Sequence, residues 1–165
     1  MECVRRRLIF FILLFLTFSL SGCHAPDDRA GHTYHKVVRV VDGDTFWIDD
    51  GSDKGEKIRL IGVDAPETRR TSRKEVGYYG KESKQYLTDL LQDNEVRLEY
   101  DVDPKDRYGR TLAYVYLRDG TFVNAELVRK GFGMVMTVPP NVKYADEFVE
   151  YQTEAREKQR GLWGK

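Results

Sequence analysis

The sequence predicts an α+β fold, a small β-barrel closed by three helices. Short β-branched and aromatic runs, several divided by Asp-Gly turns, occupy residues 37–63 and 94–117. Helical periodicities are inserted between these runs and appended after them. From Tyr34 onward no Pro/Gly/Ser-rich break divides the chain, and the roughly 130 residues that remain suffice for one core.

The elements follow in order. Val37 to Val41 is a β-branched strand, Asp42-Gly43-Asp44 turns it, and Thr45 to Ile48 returns. A polar loop runs through Gly55. Lys57 to Val63 reads as a third strand, with Ile58, Leu60 and Gly62 on one face and Arg59, Ile61 and Val63 on the other. Asp64-Ala65-Pro66-Glu67 ends it, and a loop over 68–77 carries Arg69, Arg70, Arg73 and Lys74. Lys81 to Gln92 is helical on the stripe Leu87, Leu90 and Leu91. Asn94 to Tyr100 alternates as a strand, Asp103 to Arg110 is a charged loop, and Leu112 to Leu117 is a further strand. Asn124 to Lys130 is a short helix stopped by Gly131. Tyr144, Phe148, Tyr151 and Ala155 recur at helical spacing, so a third helix reaches about Lys158, and Gly161-Leu162-Trp163 folds back as a plug.

The N-terminus reads as an address. Arg5-Arg6-Arg7 precedes Leu8 to Leu20, an apolar run too short for the roughly 20 residues of a spanning helix. The run ends in Leu20-Ser21-Gly22-Cys23, which resembles the lipobox of bacterial lipoproteins. The expected organisation is a signal peptide over 1–22, a lipidated Cys23 with a tether through residue 33, and one domain over 34–165. Two or more acyl chains at Cys23 would anchor the protein stably, outside the cytoplasm, at a cell surface or facing a periplasm.

The chain holds 27 basic and 27 acidic residues, 41% hydrophobic residues and two Cys, which excludes a disulfide-stapled miniprotein and a disordered acidic chain. Without residues 1–23 it keeps 24 basic and 26 acidic groups and no thiol. Such a balance argues against a nucleic-acid partner at first sight, because nucleic-acid binders usually carry a basic excess.

The placement of charge says otherwise. Asp42, Asp44, Asp64 and Glu67 all sit at strand ends. If the first and third strands pair, Asp44 and Asp64 can share a hard cation such as Ca²⁺ or Mg²⁺ through oxygen ligands. His24, His32 and His35 lie in or beside the tether and offer no zinc spacing. Arg59 projects from an otherwise apolar strand; it either meets an anion or is half of an internal ion pair with Asp64 or Glu67. Arg110 precedes the Leu112 strand. Arginine forks hold phosphate oxygens and stay charged, and a carboxylate such as Glu67 can deprotonate or orient a water. Together these residues compose a phosphodiesterase centre.

The segments Val40 to Thr45, Arg59 to Thr68, Asp106 to Arg110, Leu112 to Tyr116 and Val123 to Gly131 resemble the staphylococcal nuclease (thermonuclease) family, in the family's order and with similar gaps. The resemblance covers about residues 36–164. It implies a five-stranded OB-fold-type barrel with three α-helices, and a Ca²⁺-dependent nuclease acting on single-stranded or frayed DNA and RNA to leave 3′-phosphate ends. By the same resemblance Asp44 and Asp64 are metal ligands, the backbone carbonyl of Ala65 is a third, and Asp42 stands next to the metal. Arg59 and Arg110 bind phosphate, Glu67 is the general base, and Arg107 and Tyr108 contact the nucleotide. The family's tyrosines after the Gly131 position are missing: Phe132 to Pro140 offers Met134, Met136 and Thr137 instead. A catalytically weak OB-fold module that only binds nucleic acid is the alternative, and a monomer is expected in either case.

The lipobox makes a direct prediction. Cys23→Ser should release the protein from the membrane fraction or block its processing, read by fractionation and intact mass; unchanged lipidation would refute the anchor.

Overall fold

The computed structural model describes residues 32–68 and 77–164. The signal segment, Cys23, and the basic residues Arg69, Arg70, Arg73 and Lys74 lie outside the described residues. Strands β1 (His35–Asp42), β2 (Thr45–Ile48), β3 (Glu56–Leu60), β5 (Glu95–Glu99) and β6 (Thr111–Leu117) close a barrel in the order β1-β2-β3-β6-β5. All pairs are antiparallel except β3 with β6. Strands β4 (Gly62–Asp64) and β7 (Met134–Met136) form a separate antiparallel pair. Helix α1 is Gly80–Leu91, α2 is Val123–Arg129, α3 is Ala145–Glu157, and Gly161–Trp163 is one 3₁₀ turn. Among the described residues no helix is long and apolar enough to cross a membrane.

Strand alternation builds the core. Phe46, Ile48, Ile58, Leu60, Val96, Ala113, Val115 and Leu117 point inward and are buried. Leu87 and Leu91 of α1 and Leu127 and Val128 of α2 pack against them and close the barrel. Burying each such aliphatic or aromatic side chain stabilises the fold by about 1.5–3 kcal/mol. The opposite face of β6 is also covered. Tyr114 joins Ile61, Ala125 and Phe148 in a second cluster, with Phe122 and Tyr144 edge-on to the Tyr114 ring.

The structure corrects two expectations. Strands β1 and β3 do not pair; β2 lies between them, and β3 turns its other edge to β6. The stretch expected as one strand over 57–63 divides at Ile61. Gly62 adopts φ 77°, a left-handed value that glycine takes without strain, and a Cβ there would meet the Phe148 ring at 2.4 Å. The chain therefore leaves the barrel and pairs with β7, a three-residue strand that the sequence did not reveal.

Asn124, fully buried, holds this break in place. Its Oδ1 accepts the Val115 N–H at 2.9 Å, and its Nδ2 donates to the Ile61 carbonyl at 2.9 Å and the Ala113 carbonyl at 3.3 Å. Asn124→Ala strands an N–H and a carbonyl in the core, each costing about 1–3 kcal/mol. We expect the urea midpoint to fall by the equivalent of about 2–4 kcal/mol with the slope unchanged; a loss under about 0.5 kcal/mol would show that the amide does not hold the break.

Candidate active site

Arg59 is the last residue but one of β3 and is only 6% exposed. It is register partner to Thr45, the first residue of β2, and so faces the start of that strand. Its Nη1 forms an ion pair with Asp44 Oδ2, and its Nη2 donates to Asp64 Oδ1 at 3.0 Å. Of the open possibilities for Arg59, the internal ion pair is realised, with Asp44 and Asp64 as its partners. Asp44 is itself 6% exposed and fully engaged: Thr45 Oγ1 donates to its Oδ1 at 2.8 Å and the Ala65 N–H to its Oδ2 at 2.9 Å. The strand ends meet although β1 and β3 do not pair, because the Leu60 N–H donates to the Asp44 carbonyl at 3.0 Å across the turn.

The Asp42-Gly43-Asp44 turn fits here only because of its glycine. A Cβ on Gly43 would lie 2.7 Å from Ala65 Cβ and 2.8 Å from Ser83 Cβ, so the turn is pressed between the end of β4 and helix α1. Asp42 accepts the Gly43 N–H at 3.0 Å and lies within hydrogen-bond reach of Glu67. Burial raises the Asp42 carboxyl above its ordinary range; the Gly43 N–H opposes this, and the charges of Asp44 and Glu67 add to the rise.

Arg110 stands on the far side of the cleft, and Asp106 sets its position. Asp106 Oδ1 accepts the N–H groups of Tyr108 at 2.8 Å and Arg110 at 3.0 Å, and its Oδ2 accepts Arg110 Nε at 2.6 Å. Burial pulls the Asp106 carboxyl up, but these donors and the guanidinium charge hold it below the usual carboxylate range. Tyr108 is 59% exposed, with the guanidinium carbons of Arg107 and Arg110 at 4.8 and 5.5 Å from its ring centre.

A cavity of about 500 Å³ lies between Arg59 and the loop that carries Arg110. Its walls are Arg59, Ile61 and Gly62, the 103–110 loop, and the segment from Met136 to Asn141. Asn141 ties two walls together: its Oδ1 accepts the Asp103 N–H and its Nδ2 donates to the Asp103 carbonyl, both at 2.8 Å. The volume suits a nucleotide. The Met136 to Pro140 wall is aliphatic, and Tyr108 is the aromatic ring among the lining residues. Asn141 was missed by sequence reasoning; nothing local distinguishes it from a turn asparagine.

The donor set fits a hard divalent cation. Asp44 and Asp64 flank the Arg59 guanidinium, Asp42 lies near Asp44 and Glu67, and every side-chain donor in the group is oxygen. Among the described residues no three His, Cys, Asp or Glu side chains converge as a ligand group. Asp44 and Asp64 would hold the cation, with Asp42 beside them.

Residues 57–165 match the staphylococcal nuclease homologue family. The chain is 47% identical over 137 residues to a thermonuclease of Staphylococcus intermedius, covering 82% of this chain and 79% of that protein. It is 39% identical over 157 residues to a thermonuclease of Staphylococcus hyicus, covering 94% and 90%. It is 36% identical over 129 residues to Endonuclease YncB of Bacillus subtilis, covering 77% and 60%. The chain belongs to the staphylococcal nuclease family and, with it, to the phosphodiester hydrolases.

Proposed function

We propose that the protein is a Ca²⁺-dependent nuclease without sugar specificity, which cleaves single-stranded or frayed DNA and RNA to leave 3′-phosphate ends. The observation that carries this reading is the buried Arg59 between Asp44 and Asp64 at the mouth of a nucleotide-sized cleft, with Arg110 fixed across it. Bound at the carboxylates, Ca²⁺ would supply Lewis-acid neutralisation of charge on the phosphoryl oxygens.

The chain's own groups do the rest. A phosphate entering the cleft competes with Asp64 for Arg59 and meets Arg110 from the other side. Both guanidinium groups stay charged through the reaction, and their fork geometry matches phosphoryl oxygens. Once the phosphate has displaced Asp64 from Arg59, the carboxylates that remain, Asp44 and Asp106, keep the two guanidinium groups aimed at it as charge grows. Glu67 takes a proton from the attacking water, and the neighbouring Asp42 carboxyl orients it. As the water oxygen bonds to phosphorus, the bond from phosphorus to the 5′-oxygen breaks, that oxygen takes a proton from solvent, and Glu67 returns its own proton to solvent. Tyr108 offers its exposed ring to the base.

The reading extends to location. We infer attachment outside the cytoplasm through acyl chains on Cys23, supported by the basic cluster, apolar run and lipobox-like residues before it. The domain works as a monomer at the end of its tether.

Purified protein should degrade denatured DNA and RNA with added Ca²⁺ and lose this activity in chelator. Arg59→Ala and Arg110→Ala should each lower kcat by about 10²-fold or more, the cost of removing one donor to a developing oxyanion. Circular dichroism and melting temperature should stay native-like for Arg110→Ala, whereas Arg59→Ala, which strips the buried Asp44 of its partner, should also lower the melting temperature. Cleavage undiminished by chelator would refute the metal role, and full activity in both variants would refute the phosphate clamp.

A further inference from the structure

The nucleic-acid reading accounts for the cleft but not for a row of side chains on the adjoining barrel surface. Antiparallel pairing sets Arg39 of β1 opposite Trp47 of β2, and Trp47 opposite Lys57 of β3. Directly opposed residues project from the same face. Phe46, Ile48, Ile58 and Leu60 point into the barrel and are at most 2% exposed, so the row stands outside. Two residues along the same strands comes the Thr45–Arg59 pair, on the same face. The row therefore starts about 7 Å from the phosphate-binding arginine, measured along β3. That offset is about two nucleotides of a stacked strand at roughly 3.4 Å each.

Its chemistry is distinctive for a sheet surface. Trp47 is half-buried, and the Arg39 guanidinium carbon lies 5.2 Å from its ring centre. The Gly55 backbone lies beside the ring; a Cβ there would sit 3.8 Å from Trp47 Cε3. Among the described residues neither Arg39 nor Lys57 enters an ion pair, although Lys105, Lys143, Lys158 and Arg160 all do. Two unpaired cations bracketing an aromatic ring compose a binding surface for single strands: the ring stacks a base and the cations neutralise the flanking phosphates. Carboxylates limit the row. Asp49, Asp50 and Asp53 crowd the hairpin tip beyond it, where Asp49 and Asp50 accept loop N–H groups. Glu56 is occupied by Lys105 and Thr111.

We propose that Arg39, Trp47 and Lys57 form an extended substrate subsite, in which Trp47 stacks a base about two nucleotides from the phosphate held at Arg59. This rests on the nuclease reading and adds to it a binding surface outside the cleft. The row favours single-stranded substrates long enough to reach it.

The chain has two tryptophans, so Trp163→Phe leaves Trp47 as the sole indole fluorophore. In chelator, a single-stranded octanucleotide should quench this emission in a saturable way, and a dinucleotide should not. With Ca²⁺, Trp47→Ala should raise KM for the octanucleotide about five- to a hundred-fold, the range that base stacking supports, with kcat within twofold. KM for the dinucleotide should stay unchanged, and Trp47→Phe should restore most of the loss. Lys57→Ala should reduce the salt slope of octanucleotide binding by about 0.7, as expected for one lost phosphate contact to a single strand. An unquenched Trp47 with an unchanged octanucleotide KM would overturn the subsite. Equal losses on both substrates would also overturn it, by showing that Trp47 only supports the fold. Saturable quenching without any cleavage would leave the subsite standing and remove the nuclease reading instead.

Discussion

A buried guanidinium between two carboxylates is the constraint on which the rest of the structure depends. Arg59 and Asp44 are both almost fully withdrawn from water, and an isolated charge there would cost several kcal/mol. Each is acceptable only while its partner is in place. The start of β2, the end of β3 and the end of β4 must therefore converge, and the surrounding architecture serves that convergence. Gly43 lets the turn approach Ala65 and Ser83, Gly62 lets the chain leave the barrel past Phe148, and Asn124 fastens the departure point to β6. A folding constraint thus assembles the groups of the candidate site from segments distant in sequence.

The same grouping is deliberately unbalanced. Two carboxylates face Arg59 and two more, Asp42 and Glu67, lie near Asp44, whereas Arg110 is held by Asp106 in the neighbouring loop. Net negative charge in a partly buried site favours a divalent cation, and such a cation reverses the local field that an incoming phosphate meets. This resolves the puzzle of the chain's even charge. Its 27 acidic residues include those that would hold the cation, and on the proposed reading attraction to nucleic acid is local to the cleft and the row on the barrel's outer face.

Much of this was legible in the sequence, for identifiable reasons. The Asp-Gly-Asp turn, the arginine in an apolar strand and the acidic strand end are local signals, and each appears where its residues predict. The helices followed from apolar spacing, and their bounds hold to within a few residues. What escaped depends on tertiary contact. The break at Ile61 was hidden because Val63 continues the β-branched pattern, and the positive φ of Gly62 shows only in three dimensions. Strand β7 has three residues, too few for periodicity, and exists because β4 presents an edge to it. Asn124 and Asn141 look like ordinary cap or turn residues until their partners, Ile61 and Asp103, are brought beside them. The outer-face row is invisible without the register that sets Arg39, Trp47 and Lys57 side by side.

The claim that organises all of this is that the carboxylate surplus around Arg59 is a hard-cation site. Thermal unfolding across a Ca²⁺ titration tests it without reference to activity, because a ligand bound only by the native state stabilises it in proportion to RT ln(1 + [Ca²⁺]/Kd). The account predicts a melting temperature that climbs with Ca²⁺ and a climb abolished when Asp44 and Asp64 are both replaced by Asn. A melting temperature indifferent to millimolar Ca²⁺ in the unsubstituted protein would contradict it.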